Sequence, residues 1–210
     1  MHMEMLSFTP AQASALTGLS VKTVNKAIEN RAVPARTVRE GHTRKRYIPY
    51  RGLICLELEA QGLRKLPLHM RRDVFRRVVR CHRQQELRYT QALVIDVQGA
   101  RTKMLQSLLE YRKAKRMIVS DPEIMGGTPV FKGTRIPVYT IAEIMSNGTP
   151  SREILDSYPS LSEEMLSIAV LYADANPRRG RPVTPPWRRT APTRNVVRPL
   201  VRRAANAIPH

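Results

Sequence analysis

Lys22, Thr23, Asn25 and Lys26 are short polar and cationic side chains, each with a natural partner on the edge of a base pair. Asparagine pairs in two-pronged fashion with adenine, and lysine reaches guanine or a phosphate oxygen. Val21, Val24 and Ile28 recur among them at helical spacing, an arrangement that turns the apolar side chains inward and leaves the polar ones outside. Ser20 heads the stretch, where its hydroxyl can cap a helix. A second basic group follows in Arg36 and Arg39, then Arg44, Lys45 and Arg46. Guanidinium and ammonium groups at that density suit phosphate oxygens, which fix the register of a bound duplex without reading its sequence. Elsewhere the chain offers no Ser/His/Asp grouping, no metal-ligand spacing and no cluster of acids. The expectation is therefore a protein without a catalytic residue, a metal or a cofactor. The histidines are scattered: His42 reads as a turn residue, His69 and His82 as surface side chains.

The elements that would position these groups can be read around them. Thr9-Pro10-Ala11-Gln12 combines an N-cap, a proline at the first helical position and the glutamine of a capping box. Ala13, Leu16 and Leu19 give that helix an apolar set, and Gly18 ends it where a tight turn demands positive φ. Residues 35–39 and 44–48 read as strands around the turn 40–43. Helix, turn, helix and basic hairpin make a winged helix-turn-helix, in which the second helix enters the major groove. The unit resembles those of the MerR and excisionase type over about 45 residues.

Composition points the same way. The 210-residue chain carries 36 Lys+Arg against 17 Asp+Glu, a formal charge of +19, which attracts nucleic acid, an anionic membrane or an acidic protein. Arginine far outnumbers lysine; a GC-rich genome and selection for its planar fork both account for that. Hydrophobic content of 42% with only 5% aromatic residues predicts an aliphatic core. Cys55 and Cys81 stand alone, as idle thiols in a reducing compartment do. Met1 to Phe8 lacks the pattern of a signal peptide. No run approaches the roughly 18 apolar residues of a membrane span. The expectation is a soluble cytoplasmic protein.

The fold class expected is mainly α with short β elements, in four parts: 1–62, the DNA-binding unit; 63–117, a connecting segment; 118–176, a second helical unit; and 177–210, a basic tail. In the connector, Leu68 to Arg80 predicts a helix with Val74, Phe75, Val78 and Val79 inside and five arginines outside. Leu87 to Val97 predicts one strand. Met104, Leu105, Leu108 and Leu109 predict a helix face that serves as core or dimer seam. In the second unit Pro137 opens a helix that stops at Asn147-Gly148, and Thr149-Pro150 opens a short one broken by Tyr158-Pro159. Ser160 with Glu163 caps a third, giving a homeodomain-like bundle of three helices. Gly126-Gly127 and Gly133 permit sharp turns, and Arg135 is expected to tie loop to helix. This wording lacks the spacing of a phosphate-binding loop.

The run Asp121-Pro122-Glu123-Ile124-Met125-Gly126-Gly127, through Gly133-Thr134-Arg135-Ile136-Pro137-Val138, to Asp156-Ser157-Tyr158-Pro159-Ser160-Leu161, closely resembles the domain of unknown function catalogued as family 433. One subgroup of that family places a winged unit before the domain and a Pro/Arg-rich stretch with a tryptophan after it. Such proteins are similar to VapB-type antitoxins. The resemblance implies a PIN-domain ribonuclease toxin as partner, neutralisation of that toxin, and repression of the protein's own operon through operator DNA.

Residues 177–210 hold seven prolines, nine arginines and no acid. Such a composition cannot offset its ordering entropy by burial, so the tail is expected to be disordered when alone. At roughly 3 Å per residue it spans on the order of 100 Å, enough to wrap a small domain. Arg178, Arg179, Arg181, Arg188 and Arg189 would then engage a nuclease's carboxylates, with Trp187 as apolar anchor. A homodimer matches a pseudo-palindromic operator. The alternative is a stand-alone winged-helix regulator without a toxin.

Overall fold

Thr9 caps the first helix as its sequence predicts: its hydroxyl accepts from the Gln12 amide at 3.3 Å, and the Gln12 side chain accepts from the Thr9 amide at 2.9 Å. The structure is a computed structural model that describes residues 6–81 and 84–178. It opens with β1 (Ser7–Phe8), α1 (Pro10–Thr17), α2 (Val21–Glu29), β2 (Arg36–Glu40), β3 (Thr43–Pro49) and α3 (Tyr50–Ala60). Gly18 closes α1 at φ 71°, a value open to glycine at little cost. The three strands form an antiparallel sheet in the order β1-β3-β2.

Helix α3 has no counterpart among the elements expected from sequence. Residues 52–59 are all buried, so it lacks the polar stripe that marks a surface helix. Glu57 and Glu59 interrupt its apolar pattern, yet both lie inside. Glu57 accepts from Lys103 at 2.7 Å and Glu59 from Arg71 at 2.7 Å. Gly52 lets α3 approach its neighbours, because a Cβ there would lie 2.7 Å from Ile48 Cγ2 and 3.0 Å from the Pro34 carbonyl.

A 3-10 turn (Leu63–Lys65) leads to α4 (Leu68–Arg80), whose bounds agree with the expectation. The single strand expected over 87–97 is instead a hairpin of β4 (Glu86–Arg88) and β5 (Val94–Asp96). The Thr90 hydroxyl accepts from the Leu93 amide at 3.0 Å and folds the chain back between them. Val97 already belongs to α5 (Val97–Met117), capped by Asp96. Its inward face is Ala100, Met104, Leu108, Tyr111 and Ala114. Leu105 and Leu109, expected on that face, are exposed at 41% and 55%, because each lies about 100° around the helix from its buried neighbour.

The last described segment contains β6 (Ile118–Val119) paired with β7 (Val130–Phe131), then α6 (Val138–Ser146), α7 (Ser151–Ser157) and α8 (Glu163–Ala175). Ser162, not Ser160, caps α8, accepting from the Met165 amide at 3.4 Å. Thr134, not Arg135, ties the turn: it donates to the Phe131 carbonyl at 2.9 Å and accepts from the Ile136 amide at 3.1 Å. Arg135 is exposed and makes no polar contact among the described residues, since the hydroxyl's short reach already closes the turn.

Two apolar cores share α5. The first takes in α1–α4, the β1–β3 and β4–β5 sheets, α5 as far as Tyr111 and the end of α8 at Ala175, so the segment after residue 62 packs into the same core as the N-terminal elements. The second joins Ala114 to Phe131, Ile141, Ile154 and Leu166. Between them lies a tyrosine cluster. Gln12 donates to the Tyr111 hydroxyl at 3.1 Å, and Tyr139 donates to the Asn176 carbonyl at 2.6 Å. Tyr139 and Tyr172 meet edge to face with centroids 6.1 Å apart. Burial pushes both phenols above their ordinary range, and Arg178 partly opposes this at Tyr139. No helix among the described residues is long and apolar enough to cross a membrane.

Candidate nucleic-acid interface

Ser20 sets the direction of α2, its hydroxyl accepting from the Thr23 amide at 3.2 Å and lying 2.9 Å from the Thr23 hydroxyl. Val24 and Ala27 face the core. Val21, expected inside, is 43% exposed, because Leu19 already fills the core beneath the first turn. Lys22 and Lys26, one turn apart, are exposed and hold no ion pair among the described residues. Thr23 and Asn25 are half-buried beside them.

The hairpin register pairs Arg39 with Arg44 and Thr37 with Arg46, so these four share one face of the ribbon. Arg36 pairs with Tyr47, and Lys45 with Val38, on the other face. Like charges directly opposite in a ladder cost stability unless a counter-charge lies between them. Arg39 is steadied by its own turn, its Nε donating to the Gly41 carbonyl at 3.2 Å. Arg46, also expected to contact phosphate, makes a contact within the fold as well. It reaches back to α2, 3.1 Å from Glu29 Oε1 and 3.5 Å from Asn25 Oδ1, and so links hairpin and helix. Asn25 spends one acceptor on that link.

Three cations absent from the predicted site join Lys22 and Lys26. Arg64, Lys65 and Arg71, from the 3-10 turn and the start of α4, line with them a cavity of about 530 Å³. Glu59 lies at its wall, where burial pushes its carboxyl upward and Arg71 opposes the shift. Arg71 is paired with Glu59, so the groove presents four cationic side chains with no ion pair among the described residues along one side of α2, and such a surface fits a polyanion. The sequence carries one signal for it, the Arg64-Lys65 pair directly after the Gly62 turn.

Of the tail residues proposed to grip a toxin, only Arg178 is described. Its guanidinium lies over the Tyr139 ring at 4.4 Å. Arg179, Arg181, Trp187, Arg188 and Arg189 lie outside the described residues. Among the described residues no group of three His, Cys, Asp or Glu side chains is placed to hold a metal ion.

One comparison bears on the segment that holds the second core. Residues 118–173 match the family described as "Protein of unknown function (DUF433)". This segment is a DUF433 domain. Within it the β6–β7 ladder, the Thr134 turn and α6–α8 are the structure behind the glycine- and proline-spaced wording of the sequence. A curated relative, "Uncharacterized protein y4eO" of Sinorhizobium fredii (strain NBRC 101917 / NGR234), is 39% identical over 89 residues. The match covers 42% of this chain and 40% of the relative, so the chain spans about two fifths of that protein's length. The crystal structure of Rv2018 from Mycobacterium tuberculosis aligns over 78% of this chain and 96% of its own, at 15% identity and a TM-score of 0.31. That likeness is too loose to carry an argument.

Proposed function

We propose that the chain is a DNA-binding antitoxin that reads operator DNA with α2 and represses its own operon. The carrying observation is the convergence of Lys22 and Lys26 with Arg64, Lys65 and Arg71 on one groove beside a helix whose apolar face is fixed in the core. In this reading α1 and α2 are a helix-turn-helix and β2–β3 is its wing. Arg36, Arg39, Arg44 and Lys45 supply phosphate contacts, and Ser20, Thr23 and Asn25 frame the base-reading turn. Sequence-independent phosphate contacts provide much of the affinity, and the lysines and Asn25 provide the preference. A homodimer doubles that footprint on a palindromic site. The DUF433 domain follows in the chain, and the family resemblance supplies the antitoxin half of the proposal. The three-helix, homeodomain-like description of α6–α8 belongs to the same reading.

In the same proposal the tail, with Arg178, Arg179, Arg181, Trp187, Arg188 and Arg189, grips a PIN-domain ribonuclease toxin. Co-expression with the product of the neighbouring gene tests it, comparing the full chain with one ending at Asn176. A stable complex lost on truncation, together with protection of the upstream DNA from nuclease digestion, supports both halves. Protected DNA with no protein partner leaves a stand-alone winged-helix regulator. Neither result overturns the reading altogether; absence of both does.

A further inference from the structure

On the other side of α4 from the groove lies a second cleft of about 610 Å³, between that helix and the connection from α2 to β2. Its floor is apolar, with Ile28, Phe75 and Val79, and its rim carries Arg31, Arg72, Arg76 and Arg80. No acidic side chain lines it. Arg72 is spent on structure, its Nε and Nη2 both donating to the Asn30 carbonyl, at 2.9 and 2.6 Å. Arg76 has only a loose 4.0 Å contact with Asp73. Arg31 and Arg80 are exposed and hold no ion pair among the described residues.

Arg31 is the telling residue. It follows the C-cap of α2 at φ 51°, a left-handed conformation. The Ala32 amide donates to the Ala27 carbonyl at 3.0 Å and the Arg31 amide to the Ile28 carbonyl at 2.9 Å. This is the helix-ending motif whose left-handed position ordinarily holds glycine. A long cationic side chain at a glycine position, aimed at a cleft and lacking a partner, marks a position held for binding and not for folding.

We propose that this cleft binds a small organic anion, a carboxylate carried on an apolar body, with Arg31 and Arg80 engaging the carboxylate and Ile28, Phe75 and Val79 receiving the body. The volume is that of an ordinary small-molecule site, and a few polar groups over an apolar floor are its usual construction. Arginine's planar fork suits a carboxylate in particular. The cleft is also lined by residues 31–35, the covalent link between α2 and β2, so an occupant lies against the end of α2 and the chain that leads into the hairpin.

The test is calorimetric titration of 2-naphthoate into the full chain, with uncharged 2-naphthylmethanol as the comparison. Binding is expected to be saturable and one-to-one for the carboxylate and about tenfold weaker for the alcohol. Arg31→Gly is expected to weaken naphthoate about tenfold while its thermal midpoint stays level or rises, because strain is relieved. A structural role alone would not separate the two readouts in that direction. Arg80→Ala is expected to weaken binding with an unchanged midpoint. Equal binding by both variants and the parent, equal binding of the alcohol, or no saturable binding overturns the proposal. So does loss of DNA affinity in both variants of a chain that never binds naphthoate, which would assign the arginines to phosphodiesters. The titration contains no DNA, so its outcome is separate from that of the DNA-binding proposal.

Discussion

Residues 6–117 and the DUF433 domain are built from the same materials, helices and small antiparallel sheets over an aliphatic core, yet they are opposite in charge. The first carries 24 basic and 8 acidic residues, and residues 118–173 carry 3 and 7. The excess positive charge of the chain therefore lies on either side of the DUF433 domain and not in it. Fold class alone would not distinguish the two regions; placement of charge does. The N-terminal region carries a cationic groove that a polyanion fits, whereas the DUF433 domain carries a net negative charge that disfavours one.

Charge reversal on each side is the strongest way to break that contrast. The double variant Lys22→Glu/Lys26→Glu is expected to lower affinity for the upstream duplex at least about 100-fold, read by fluorescence anisotropy. Glu143→Lys/Glu153→Lys, on exposed positions of α6 and α7, is expected to leave affinity within about threefold. Equal effects would erase the distinction. Gly52→Ala is expected to destabilise the chain by about 2 kcal/mol in urea denaturation, because the new methyl meets Ile48 and the Pro34 carbonyl. An unchanged midpoint would contradict the packing described. Arg64→Ala/Lys65→Ala is expected to cost about tenfold in DNA affinity and to make the salt slope shallower by about 2, the signature of two lost phosphate contacts. The smallest effect is that of Tyr139→Phe. Losing its hydrogen bond to Asn176 should cost about 1 kcal/mol and leave DNA affinity unchanged.

Much of this architecture was legible in the sequence where side-chain pattern and local capping agree. Helix α4 kept its predicted bounds because its apolar edge and arginine face repeat at one period. The capping box at Thr9 and the turns around Gly133 and Pro137 are likewise local, and the structure places them where the residues said. Burial defeated the rest. In α3 two carboxylates stand inside, each matched by a cation from another helix, and no local pattern reports a partner 12 or 46 residues away. Leu105 and Leu109 read as core or dimer seam and lie outside the core, because hydrophobicity does not show which side of a long helix faces its neighbour. The candidate site divided in the same way. Lys22 and Lys26 were legible from helical spacing. The groove's other half, Arg64, Lys65 and Arg71, came to them only through tertiary folding. Arg46, read as one more phosphate contact, also bonds the hairpin to the helix, a contact that no local pattern reports.

The most direct test is of sequence preference. The full chain and its Lys22→Glu/Lys26→Glu variant would compete for two duplexes, the upstream region and a scramble of equal composition, at matched salt. The account predicts a strong preference by the parent chain and weak, equal binding of both duplexes by the variant, through the hairpin and tail arginines that remain. A variant that keeps the parent's preference would show that DNA is read somewhere other than α2.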